Sequence, residues 1–458
     1  MPTMPSVKYA NLNHPSWEIM NVIRNSSSPN YKGVIPTAQA DNMSCRAIGN
    51  IMMQNADLRN EFLSALMNRI GFVVVTSRIW NNPLKMFKRG NLDVGETVEE
   101  IFVDLCKPHQ HNAENAENTW MKRELPQVLT AFHSVNFKKF YKITIERDQL
   151  RTAFTSWANM DAFIANCIET MVTSAETDEY AVLKYLIARL LINGQFKPVT
   201  IAGTDTSEHC RSTVAVMRAT SNKFTVNKTD YNPAGVYNHS SRDNQYLILN
   251  AEDESKISVD VLAQAFNLDK AELLGHEVII DGFGEFDEAR MTELFADDPY
   301  NSYTAFTAEQ KAALNAIPAV MVDKDFFMVF GNLEESTDSF NGEGLYYQNW
   351  LHRWLTISAS PFANRAAFIV GTPGITSVTV TPATATAAKK TAVQFSATVV
   401  ATNFAPQGVV WSCNSTKSTI SQNGMLTVAA DETASSIKVT ATSEFDGSKK
   451  GQATVTVS

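Results

Sequence analysis

The chain has 458 residues, 44% hydrophobic and 19% charged, which excludes wholesale disorder; at about 150 residues per domain it has room for roughly two to four. With 39 Lys and Arg against 48 Asp and Glu the formal net charge is −9, so no bulk electrostatic grip on a nucleic acid is expected. The five cysteines, Cys45, Cys106, Cys167, Cys210 and Cys413, are too sparse for a disulfide framework, and no apolar run is long enough to span a membrane.

Met1 to Tyr9 carries Pro2 and Pro5 but neither the basic head nor the apolar core of a secretory signal, which predicts a soluble protein of a reducing compartment. From Gly71 to Leu150 the chain reads as an extended excursion. Phe72 to Val75, Ile101/Val103/Leu105 and Tyr141/Ile143/Ile145 have strand character, and the segments between them are polar. Such an excursion has little core of its own and is expected to find its partners on another chain. Its most basic cluster comprises Asn82, Pro83, Lys85, Phe87, Lys88 and Arg89. These six are the candidate intersubunit contacts, docking an acidic partner surface; the alternative is a solvated loop tip.

The longest helical signal runs from Ser156 to Ile192. Trp157, Met160, Ile164, Cys167, Ile168, Met171 and Ala175 recur at three- and four-residue steps, the pattern resumes at Val182, and Asn193-Gly194 supplies a stop. A continuous helix of about 37 residues would be roughly 55 Å long, an elongated spine, unless Thr173 to Thr177 divides it. Met160, Ile164, Cys167, Ile168 and Met171 form one stripe and are assigned to packing inside the subunit.

Motifs that would carry chemistry fail one by one. Gly90 to Thr97 has the glycine spacing of a phosphate-cradling loop, but Glu96 stands where a lysine must meet the phosphates. His276-Glu277 starts like a zinc-protease helix, yet Ile280 occupies the place of the second ligand, and Val278-Ile279-Ile280 reads as a buried strand. His109 and His111 lack a third metal ligand nearby. Gly282-Phe283-Gly284 lacks the last glycine of a dinucleotide loop. The acidic run Asp323 to Asp325 reads as a strand edge or turn. With no catalytic set, no enzyme, cofactor or metal is predicted.

Near Gly371-Thr372-Pro373-Gly374 the composition shifts to Thr, Ser, Ala and Val. Val378/Val380, Val393/Phe395/Ala397/Val399, Ile437/Val439/Ala441 and Ala453/Val455/Val457 alternate with polar residues, and Asn423-Gly424 and Asp446-Gly447 are turn dipeptides. These predict an autonomous antiparallel sandwich over 374–458 with Trp411 as its core aromatic. Cys413 is alone there, so no disulfide can close it.

Several ordered stretches resemble the major capsid proteins of small, short-tailed phages (podoviruses) of the phi-29 kind. Ile19 to Ser26 resembles the start of the family's N-terminal arm, and Asn81 to Gly90 with Glu99 to Phe102 resemble its extended loop. Thr152 to Trp157 and Ser174 to Tyr180 resemble the spine helix; Asp260 to Asn267 and Val322 to Val329 the central domain; Ser358 to Phe368 the closing strand. Separately, Val378 to Pro382, Val410-Trp411-Ser412, Gly424 to Thr427 and Val439 to Ser443 resemble a bacterial immunoglobulin-like domain of group 2.

The resemblance implies an α+β, Hong Kong 97-like capsid domain over 1–371: arm region 1–70, extended loop and strands 71–150, spine helix 151–200, axial domain and returning strands 201–371. An immunoglobulin-like β-sandwich follows at 374–458. It further implies hexamers and pentamers of an icosahedral head around double-stranded DNA held without sequence-specific contacts, a portal protein, and no membrane partner. No long charged helix precedes the arm, so a separate scaffolding protein is expected, and assembly without crosslinks. The net negative charge fits a wall past which DNA must slide. The rival readings are an encapsulin-like cargo shell, which shares the fold, and a surface adhesin carrying the tail domain.

Overall fold

The structure is a computed structural model that describes residues 16–70, 80, 82–92, 97–109, 123–262 and 276–458, without the side chains of 64, 66–70, 161, 162, 164–169 and 258–262. From Ser16 the region read as an arm is helical: α1 (Ser16–Ser26), α2 (Pro29–Val34), α3 (Asn42–Gln54) and α4 (Ala56–Ile70). Ser28 and Asp41 cap α2 and α3 by accepting the Tyr31 and Ser44 N–H groups. The helices bury Ile23, Tyr31, Ile48, Met52 and Phe62 in one cluster with Trp157, Met160 and Tyr347. They therefore pack on their own subunit.

Two helices follow the extended region, α5 (Arg147–Ala153) and the 36-residue α6 (Trp157–Ile192). Thr173 to Thr177 does not interrupt α6. The Ser174 and Thr177 hydroxyls donate to the Thr170 and Thr173 carbonyls four residues back, at 2.5 and 2.7 Å, so these two side chains are satisfied within the helix. Gly194 ends it in the left-handed region at φ +64°.

Helix α6 lies against two sheets. One has the order β1 (Lys88–Asn91), β9 (Phe327–Asn341), β10 (Tyr346–Ala359), β4 (Phe137–Glu146). The other has the order β5 (Lys197–Ile201), β11 (Arg365–Val370), β8 (Ala319–Asp323), β6 (Gln245–Asn250), β7 (Glu277–Ile280). In this second sheet alternate residues take opposite faces. Ile248, Val320, Val322, Ala367 and Ile369 pack with Leu183, Ile187 and Leu191 of α6, while Leu247, Leu249, Met321 and Phe368 pack with Met217 and Phe224 of α7 (Ser207–Phe224). Helices α8 (Ala251–Leu262), α9 (Glu288–Phe295) and α10 (Ala308–Asn315) flank these sheets in sequence. Strands β2 (Thr97–Val103) and β3 (Val128–Ser134) form a separate antiparallel pair.

The tail is β-rich. Strand β12 (Gly374–Thr381) pairs with β15 (Ser396–Thr402); β13 (Thr384–Ala387), β20 (Lys450–Val457), β19 (Ser436–Ser443) and β16 (Val409–Cys413) form a second sheet; β14 (Ala392–Gln394), β18 (Met425–Thr427) and β17 (Thr419–Ile420) a third. They enclose their own cluster around Phe395, Trp411, Leu426, Ile437 and Val455. The single strand predicted through Val393 to Val399 is two, because the chain leaves one sheet for another at Phe395, whose N–H bonds the Gly424 carbonyl at 2.8 Å. The tail is less self-contained than its composition implies. Phe404 packs on the main core, and the Gln407 side chain donates to the Ile192 carbonyl at the end of α6, 2.7 Å away.

Candidate assembly surfaces

Asn82 opens a tight turn by accepting the Leu84 N–H at 2.8 Å, and Pro83 pre-sets its first residue. Residues Pro83–Phe87 form a 3-10 turn, whose three-residue period puts Leu84 and Phe87 on one side. That side is buried: the Phe87 ring lies 4.9 Å from Tyr246 and 4.6 Å from Phe327. Lys85 Nζ reaches Glu176 at 3.1 Å. Arg89 donates to the Phe327 and Asp325 carbonyls at 3.1 and 2.9 Å and pairs with the Asp325 carboxylate. This corrects the expectation for the cluster. Asn82 and Phe87 are buried in their own subunit and unavailable to a neighbour, and the acidic partner that Lys85 and Arg89 meet is the same chain; Pro83 and Lys88 remain half-buried.

The acidic partner is a buried ionic network that sequence reasoning missed. Glu176, Asp178 and Glu179 sit mid-way along α6, all buried. Arg353 of β10 donates to Glu176 at 3.0 Å and Glu179 at 3.4 Å, and reaches Glu334 at 3.3 Å. Arg290 of α9 forks onto Asp178 with two 2.8 Å bonds, and the Tyr141 hydroxyl of β4 donates to the same carboxylate at 2.9 Å. Burial pushes the Glu179 carboxyl above its ordinary range, against the opposing pull of Lys88 and Arg353. For Arg353 burial acts downward, but Glu334, Glu176 and Glu179 outweigh it and raise its pKa. The signal was present: three acids in four positions interrupt the apolar helix pattern between Ala175 and Val182. Another buried cation, Arg365, forms no ion pair among the described residues; it lies between the rings of Phe196 and Phe326, 5.8 and 5.4 Å from their centroids, and burial lowers its pKa to about 10.

One apolar surface left open is on the β2–β3 pair. One face is tied to the body: Phe102 stacks on Phe362 at 5.4 Å, Ser360 donates to Glu100 at 2.7 Å, and His133 lies 2.7 Å from the Ser358 hydroxyl. The opposite face presents Ile101, Val103 and Phe132, which are 58%, 57% and 68% exposed. Contiguous exposed apolar residues mark an interaction surface.

Of the predicted helix stripe, Met160 and Met171 are buried, and the side chains of Ile164, Cys167 and Ile168 lie outside the described residues. Trp411 is buried in the tail cluster. His109 pairs with Glu124 at 2.8 Å, and His111 lies outside the described residues. Among the described residues no helix is long and apolar enough to cross a membrane, and no group of side chains is arranged to hold a metal.

Comparison with known proteins places these features on a phage shell protein. The sequence matches the Phi29-like phage major capsid proteins over residues 20–369. It is 39% identical to the major capsid protein of Bacillus phage B103 over 91% of this chain and 88% of that one. To the major capsid protein of Bacillus phage PZA it is 37% identical, with the same coverage. A capsid structure of Staphylococcus phage Andhra superposes with a TM-score of 0.49 at 16% identity, covering 64% of this chain and 85% of that one. The chain belongs to the Phi29-like phage major capsid protein family, and is a structural protein of the virion rather than an enzyme.

Proposed function

We propose that this capsid protein assembles as hexamers and pentamers of an icosahedral head enclosing double-stranded DNA. The match across residues 20–369 carries the reading. Identity of 39% over 91% of the chain to a phage capsid protein favours it over an encapsulin-like cargo shell or an adhesin. Residues 1–371 are read as the Hong Kong 97-like capsid domain, with α6 as its spine helix. Residues 374–458 are read as a group 2 immunoglobulin-like domain, a reading supported by short sheets closing around Trp411. In this scheme the exposed face of β2–β3 is covered by a neighbouring subunit. A separate scaffolding protein sets the shell size, a portal protein occupies one vertex, and assembly takes place in the host cytoplasm. DNA is held without base-specific contacts.

Negative-stain microscopy of the purified protein, with and without the scaffolding partner, tests the scheme together with nuclease protection in infected cells. Shells filled with protected DNA are expected. Shells filled with a protein cargo would instead mark an encapsulin.

A further inference from the structure

An open cleft of about 860 Å³ lies between α3, α5 and the turn joining β9 to β10. Arg46 projects into it from α3, and Arg147 and Arg151, one helical turn apart, from α5. Arg46 is steadied by a 3.1 Å bond from Nε to the Thr155 carbonyl, and Arg147 by a 3.5 Å contact to the Met53 carbonyl. Among the described residues none of the three forms an ion pair, and the Arg151 side chain makes no hydrogen bond. Two carboxylates share the cleft. They are Glu146, whose backbone N–H donates to the Gln149 side chain at 3.3 Å, and Asp148, both at the start of α5.

In a chain of net charge −9, these three guanidiniums, none of them in an ion pair, concentrate positive charge on one open cleft. The wall between them carries the amides of Asn50 and Gln54 beside the apolar side chains of Met53 and Leu345. Arginine and amide donors are what phosphodiester oxygens recruit, whereas the centre of a protein interface is depleted in charge. We infer that this cleft binds the phosphate backbone of duplex DNA. It reads no base, and Asp148 tempers the grip. The inference rests on the reading that the head encloses such DNA, but binding by purified subunits is measured without packaging, so a failure of either can be told from a failure of the other.

The test is the anisotropy of a short labelled duplex, titrated with unassembled full-length subunits over a salt series. Each phosphate contact contributes about −0.9 to the slope of log K against log salt. The Arg147→Gln/Arg151→Gln variant should therefore lose about 2 from that slope, and Asp148→Asn should tighten binding, both with wild-type melting temperatures. No binding by the wild type at low salt would overturn the inference, as would slopes and affinities that neither variant changes. Failed shell assembly with unchanged duplex binding would also overturn it, because the cleft would then seat a neighbour's carboxylates.

Discussion

Arg353 is the hub through which β10 holds α6. Its guanidinium lies within 3.4 Å of both Glu176 and Glu179, and removing it would leave two buried carboxylates without their shared cation. Breaking a buried pair from one side costs about 3–5 kcal/mol. Arg353→Ala should accordingly lower the melting temperature of unassembled subunits steeply, and retention of wild-type stability would remove the network from the list of supports. Glu432 in the tail has the opposite character to Glu179. It accepts hydrogen bonds from Ser415 and Ser418 hydroxyls at 2.5 and 2.6 Å and from the Thr433 and Ala434 N–H groups at 2.9 Å. The two hydroxyls are the first cause that holds its pKa down, at about 2 against an ordinary 4.5. A depressed carboxylate contributes stability that is complete above its unfolded pKa and lost as pH falls through its folded one. Glu432→Gln should thus destabilise the tail at neutral pH, with the gap to wild type closing between about pH 4.5 and 2 in acid unfolding curves.

At the scale of elements, the segment from Asn82 to Asn91 is a strap laid over α6. On a solvated loop tip, reversing Lys85, Lys88 and Arg89 to glutamate would spare folding, as surface charge changes do. With Lys85 only 3.1 Å from the buried Glu176, the same triple change sets carboxylate against carboxylate, and the monomer should melt earlier before any shell is counted. Only an unaltered monomer would restore the loop-tip reading. The strap was illegible because its counter-charges, Glu176 and Asp325, lie 91 and 236 residues downstream, where no local spacing announces them. Helix α6 was legible for the converse reason: its apolar steps, Ser156 cap and Gly194 stop are all local. Alternation likewise revealed a strand at Ile101 and Val103, but period two cannot say which face meets a core, and these two face outward. Met160 does face the core, so Met160→Ala should cost about 2–5 kcal/mol in the same melting assay.

For the whole molecule, the change of composition near Gly371 is sharp, yet contacts cross it. A chain ending there should still fold around the clusters of α6. It forfeits the cover of Phe404 and the Gln407 bond to Ile192, so its melting temperature should fall below that of the full chain. Phe404→Ala isolates the apolar share at no more than about 3 kcal/mol, the worth of a fully buried side chain. Equal melting of all three proteins would make the tail a free appendage. Composition marked the boundary because a change in residue usage is visible; the docking loop was invisible because it rests on three residues, Phe404, Ala405 and Gln407, in an otherwise ordinary turn.

That loop is held in an unusual way. Asn403 and Phe404 are consecutive left-handed residues, at φ 49° and 56°, and Ala405 O approaches so closely that a Cβ at Gly194 would lie 2.4 Å from it. The tail is thereby keyed to the last turn of a helix whose 36 residues make a rod of about 54 Å. The first turn of the same rod is gripped by the N-terminal helices through Trp157 and Met160. A load applied to the tail is thus delivered to the last turn of this rod, and the rod's first turn passes it to the N-terminal helices.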